Sequence, residues 1–309
     1  MAFTLIRGTY RLVGKKPNGS PRGFEPDGDS VQFKPNKPAL LKKLTLLGKP
    51  IKPSSIGSVN LRLEGIDALE LHLPAQVKGG HPTHQPRPMA DDARDFLTKE
   101  LGLDPVHYVP PKKLQVQPPA PHDGASGYIL SRSVEANGRP VSFLFTGTPT
   151  ALDGASVVLT PALLKKSFNY KAVLNGFAYP LYYDTLFKQL RDVLTSATLA
   201  ARKNKLGIWA KDRSLKGVSA SKLSDLETGG FIFPKLFRRL ASYFDSGNQG
   251  LAKFLALPEL KKEQVQDLDP NSPTFTNFTH FDNMVRVAGN KVFLKQHPET
   301  LLFVSQKKP

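Results

Sequence analysis

Through its first third the chain alternates apolar and polar positions between prolines and glycines, the period of β-structure. "FTLIRGTYRLVG", "DSVQFKP" and "SVNLRLEGI" predict three strands. Between the second and third, "NKPALLKKLTLLGKPIKPSSIGS" holds a short apolar segment bounded by prolines, expected as an extra hairpin or a helix inserted in a loop. After His72, "LPAQVKGGHPTHQPRP" is loop by composition. "MADDARDFLTKELG" has acids early, lysine late and glycine just past its end, which predicts a helix. The prolines of "DPVHYVPPKKLQVQPPAPHDGAS" impose extended or irregular chain. "GYILSRSVEA" and "PVSFLFTG" then predict two strands about a tight turn at Asn137 and Gly138.

Helical patterns follow. "TPALLKKSFNYKAVLNG" opens on Thr160 with Pro161 at the first helical position and ends on Gly176, and "DTLFKQLRDVLTSATLAARKNKLG", opening at Asp184, is the longest helix expected. Strands first and helices after argue for an α+β layout around a small β-barrel. From about Ser214 a polar, linker-like stretch leads to "FIFPKLFRRLASYFDSG", which sets Phe233, Leu236, Phe237, Leu240 and Phe244 on one helical face beside Arg238 and Arg239. That face is expected to pack against the main domain, with membrane or partner docking as the alternative. "FDNMVRVAGNKVFLKQHPETLLFV" predicts a hairpin bent at "GN" and a terminal strand.

Composition narrows the partners. With 309 residues, 39% of them apolar, the chain can bury a sizeable core. Its 43 basic against 26 acidic residues give a formal charge of +17, which favours dense negative charge in a partner, nucleic acid first and an anionic membrane surface second. The lack of cysteine excludes disulfides and thiolate metal sites. "MAFTLIRGTYRLVG" is too short in its apolar run for a signal peptide, and no stretch is apolar enough to span a bilayer. As written the chain is expected to be soluble and without stable membrane association; compartment and oligomeric state stay open.

Three fragments carry candidate chemistry. "PDGDSVQF" puts Asp27 and Asp29 on one short turn before a strand. "VNLRLEGIDALELH" carries Arg62 within a strand and Asp67 and Glu70 near its end. "NGRPVSFLF" places Arg139 at the turn before a very apolar strand. Read singly, these are a common turn, a surface ion pair and a hairpin. Together they meet the needs of metal-assisted phosphodiester hydrolysis: hard oxygen ligands for calcium, a carboxylate for water, and two guanidiniums for the phosphate oxygens.

The set "DGDS", "RLEGIDALE", "NGRPVSFLF", "NYKAVLNGFAYPLYY" and "ARKNKLGIWAKD", in that order from about Gly8 to Asp212, resembles the staphylococcal-nuclease-like (thermonuclease) family. The resemblance implies an OB-fold five-stranded barrel with packed helices, spanning 1–213 with insertions at about 34–58 and 73–88, and a small C-terminal α/β extension at 214–309. It implies Asp29, Asp67 and the backbone carbonyl of Ala68 as calcium ligands and Asp27 as an acid acting through water. Glu70 becomes the general base or water-orienting group, Arg62 and Arg139 the phosphate arginines, and Tyr182, with Tyr183 beside it, a neighbour of the bound nucleotide. Asn169 matches a structural asparagine. The implied activity is calcium-dependent hydrolysis of DNA and RNA, single strands preferred, leaving 3′-phosphate ends. Ser30 replaces the usual threonine, Ala68 and Leu69 replace Thr-Pro before Glu70, and Pro140 stands where glycine is common.

The rival is an OB-fold binding or adaptor protein that keeps the barrel and basic surface without turnover. His72, His81 and His84 are read as a solvated loop rather than a metal site, and Trp209 as a core anchor.

Overall fold

The computed structural model describes residues 2–273 and 275–305, so the first residue of the expected barrel and the last four of the expected extension lie outside the described residues. The protein is α+β and divides into two compact units, the first formed by Met1–Glu64 and Arg94–Ala172 with 306–309, the second by Gly65–Ala93 and Val173–Ser305. The boundary expected at residue 213 falls inside the second unit.

All five strands expected from the alternation form in the first unit. Ala2–Arg11 lies between Gln32–Pro35 and Ser126–Val134, which pairs in turn with Pro140–Thr146, every pair antiparallel. The ends of this sheet are Val59–Asn60, antiparallel to Gln32–Pro35, and Arg62–Leu63, parallel to Pro140–Thr146. Only Leu61 separates those two edge segments, so the sheet curls back on itself as a nearly closed barrel. Both faces of this sheet are covered: Phe3, Leu5 and Phe143 lie on one face and Phe33 and Ile129 on the other, and all of these, with Leu61 and Leu63, are at most 2% exposed. Tyr10 is buried with them, and its hydroxyl donates to Phe145 O at 2.9 Å. Gly127 must be glycine for this ring to pass, since a Cβ there would stand 2.4 Å from Tyr10. Asn169 pins two strands, donating to Glu64 O and Ser142 O and accepting from Leu144 N–H.

The segment between the second and third strands is a 3₁₀ turn, Pro38–Lys43, followed by the short strand Thr45–Leu46 on Ser126–Val134. The single helix expected over 160–176 is two, Pro161–Leu164 and Phe168–Leu174. Ser167 makes the break: its hydroxyl donates to Leu164 O and accepts from Tyr170 N–H, ending one helix and starting the next.

In the second unit Ile66–Ala68 pairs antiparallel with Ala178–Pro180. The helix expected from Asp184 starts instead at Lys188 and runs to Lys203, because Asp184 is bound by its backbone to Phe303 O and by its carboxylate to Ser305 N–H. A four-stranded sheet takes Tyr182–Tyr183, Leu301–Phe303, Gln264–Asp267 and Phe278–His280. The expected terminal hairpin forms as Val285–Ala288 and Lys291–Leu294, turning at Gly289 with φ +60°. The helix Pro234–Asp245 buries Leu236, Phe237, Leu240 and Phe244, as its apolar face requires. Trp209 is a core anchor, edge-on to Tyr179. No helix among the described residues is long and apolar enough to cross a membrane.

Candidate functional site

The first unit holds Asp27, Asp29, Arg62 and Arg139, and the second holds Asp67, Ala68, Glu70, Tyr182 and Tyr183. Each group has its own geometry.

In the barrel, the register gathers three of the four around the strand that carries Arg62. Leu63 N–H donates to Asp29 O at 3.3 Å, and Arg62 lies opposite Val141, two residues beyond Arg139. Asp29, Arg62 and Arg139 are all half-buried. Asp27 is buried, its carboxylate accepting from Gly28 N–H at 2.7 Å, which uses the acid to hold its own turn. Arg139 is fixed by Glu135, whose Oε1 accepts from its backbone N–H at 3.2 Å and its Nε at 3.1 Å. The turn before it needs Gly138: φ is +88°, and a Cβ would meet Pro50 O at 2.6 Å.

One further residue of this unit was not singled out from the sequence. Glu64, two positions past Arg62, is 6% exposed, and burial pushes its carboxyl up to about 7 against the pull of Arg132 and Arg62.

In the second unit Asp67 lies opposite Tyr179 and is 1% exposed, with Ala68 beside it opposite Ala178. Asp67 and Glu70 converge on Arg238. Its Nη1 lies 3.0 Å from Asp67 Oδ1 and 2.5 Å from Glu70 Oε1, and its Nη2 lies 3.1 and 2.9 Å from the two Asp67 oxygens. Burial opposes the charge on this guanidinium, but Asp67 and then Glu70 outweigh it and hold the group above its usual range. The sequence marked Arg238 only as a cation beside an apolar helical face. Nothing in its local pattern points to a carboxylate pair far back in the chain.

The loop after Glu70 fixes the helix that carries Arg238. Gln85, fully buried, accepts from Glu70 N–H and donates to Ile232 O, just before the helix begins. At the other end Asp245 accepts from the backbone N–H groups of Gln76, Val77 and His81. His84 bonds Gln85 O through Nδ1 and stands 4.0 Å from Glu227.

Tyr182 is buried, its hydroxyl 3.0 Å from Thr195 Oγ1. Tyr183 is half-buried, with Lys235 Nζ 3.3 Å from its hydroxyl. Among the described residues no group of three or more His, Asp or Glu side chains could hold a metal ion. Asp67 and Glu70 offer the hard oxygens calcium takes, but a guanidinium occupies them. As arranged, the pair does not fit a calcium ion.

No family model and no curated protein matches this chain.

Proposed function

We propose that the chain is a phosphodiester hydrolase acting on nucleic acid, built on an OB-type barrel of the staphylococcal-nuclease-like kind, with its carboxylate pair at rest in this structure. The observation that carries this reading is the register about the Arg62 strand, which brings Asp29, Arg62 and the Arg139 turn together on one barrel. Closure through one parallel and four antiparallel pairings supports the OB assignment.

The chemistry follows from the side chains. Arg62 and Arg139 are permanently charged, forked donors suited to phosphate oxygens as negative charge builds on them. Glu70 orients or deprotonates water once its carboxylate is released from Arg238. The barrel also supplies long-range attraction. Its segment 15–52 carries eight lysines and one arginine, all exposed, against Glu25, Asp27 and Asp29.

The test measures acid-soluble nucleotides released from heat-denatured DNA by wild type, Arg139→Ala and Glu70→Gln, with binding to the same DNA followed in parallel. Loss of one transition-state donor in Arg139→Ala, or of the general base in Glu70→Gln, is worth roughly a hundredfold or more in turnover, so each variant should fall by at least about that factor while still binding. Turnover within a few fold of wild type for Arg139→Ala removes that arginine from the mechanism. The ion pair at Arg238 favours a second reading, a nucleic-acid-binding adaptor in which the carboxylates only hold a helix. Tight binding with no release by wild type or by a variant freed of Arg238 selects it.

A further inference from the structure

We propose that Glu64 governs how strongly Arg62 and Arg132 draw a phosphate to the barrel, and that it takes up a proton when a nucleic-acid strand binds there. The proposal rests on the reading of the barrel as the nucleic-acid face and adds a regulator to it.

The backbone brings the three side chains together. Glu64 follows Arg62 by two residues, which directs both side chains to one side of an extended segment. Its main chain is fixed twice: its N–H donates to Ser142 O at 3.0 Å, and its carbonyl accepts from Asn169 Nδ2 at 2.9 Å. Arg62 lies opposite Val141, and Val141 opposite Ser133. The next residue, Ser142, faces Ser131, so Arg132 is left over as the extra residue of a bulge. A bulge re-aims its side chain, and the Arg132 guanidinium stands 4.8 Å from the centre of the Phe3 ring. From there Arg132 exerts the larger pull on the Glu64 carboxylate and Arg62 the smaller, and Glu64 acts back on Arg132. The other ionisable groups on the elements around Glu64 are Asp29, at the turn bonded to Leu63, and Tyr170 and Lys171 on the helix of Asn169, with Lys171 bound to Glu100. Pro140–Thr146 carries none.

Glu64 is 6% exposed, and among the described residues no hydrogen bond or ion pair reaches its carboxylate. Burial therefore penalises the ionised form, and the changeover falls at about 7. Ionised, the carboxylate offsets part of the positive field of the two arginines; protonated, it leaves that field whole. A phosphate beside the arginines adds negative charge near the carboxylate and favours its acid form. These are one coupling seen from two sides: the acid form binds phosphate more tightly, and bound phosphate holds the proton. Affinity is greatest below about 7 and falls as pH rises through it.

The experiment measures binding of a short oligothymidylate across neutral pH at constant ionic strength, for the full chain as wild type, Glu64→Gln and Arg132→Gln. Calorimetry at neutral pH in buffers of different ionisation enthalpy counts the protons taken up. Between mildly acid and mildly alkaline pH the wild type should lose about fivefold more affinity than Glu64→Gln, which carries the neutral form permanently. Glu64→Gln should also take up fewer protons on binding. Histidines titrate alike in both proteins, so the difference reads Glu64. Arg132→Gln should bind more weakly than wild type and depend less on pH. A carboxyl that served the fold alone would change stability and leave these profiles in place. Superimposable profiles and equal proton uptake in wild type and Glu64→Gln overturn the proposal. Should Glu64→Gln fail to fold, Arg132→Gln decides, and a pH dependence as large as that of wild type overturns it. Absence of binding by every protein at every pH is a separate result, which overturns the nucleic-acid reading and the proposal with it.

Discussion

Glu64 follows the last barrel residue of the Arg62 strand, with Asn169 bonded to its carbonyl, Arg132 and Arg62 within electrostatic reach, and burial pushing its carboxyl up to about 7. In the unfolded chain the same group titrates near 4.5. Its folded value is the higher of the two, so stability is full below about 4.5 and is lost as pH rises through 7, because the unfolded chain releases the proton first. At 1.4 kcal/mol per pH unit this amounts to about 2.5 kcal/mol between pH 5 and pH 8. Glu64→Gln removes the titration, so urea unfolding should show the variant gaining about that much on wild type over the interval. A difference that does not change with pH would exonerate the group. In the sequence Glu64 looks like any acid between a leucine and a glycine. Asp67 and Glu70 were singled out through the resemblance, as acids following Arg62 in "RLEGIDALE"; the burial of Glu64 follows from how the barrel closes, which local pattern does not encode.

At the scale of elements, the alternation gave the five barrel strands their places because a half-buried strand shows its two faces in sequence. Helix starts were read less well. Ser167 and Asp184 use their side chains for bonds that interrupt or precede the helices, and each bond depends on a partner chosen by the fold. The loop 73–88 was evident as loop, but its use as a strap on the helix Pro234–Asp245 joins residues about 150 positions apart and has no local signal. The strap makes a quantitative prediction. Gln85→Ala leaves the buried Ile232 carbonyl and the Glu70 N–H without their partner, and a lost buried bond of this kind costs about 1–3 kcal/mol. Asp245→Ala breaks bonds that lie at the surface, where water replaces them, and should cost less. Chemical denaturation of the two variants should rank them in that order. The reverse order would mean that the helix is held from its C-terminal end.

For the whole molecule, the positive charge that composition announced is unevenly divided. The first unit's residues carry 23 of the 43 basic side chains but only 10 of the 26 acidic ones. This asymmetry was hidden from a linear reading, because the units interleave along the chain and the division comes at 64, 93 and 172 rather than near 213. If the barrel is the nucleic-acid face, binding to single-stranded DNA should weaken with salt, log affinity falling linearly with log salt by about 0.7 for each phosphate neutralised. Lys37 and Lys42 flank and occupy the exposed turn Pro38–Lys43 of the barrel unit. Lys203 and Lys205 are equally exposed at the end of a helix in the other unit. Reversing the first pair to glutamate should weaken binding and flatten the salt dependence by about one to two phosphates' worth, while reversing the second should leave the slope near that of wild type. Equal losses from both pairs would mean that the charge acts only as a diffuse field. A loss confined to the first pair would place the polyanion on the same barrel that brings Arg62 and Arg139 together, where an attacked phosphate has to lie.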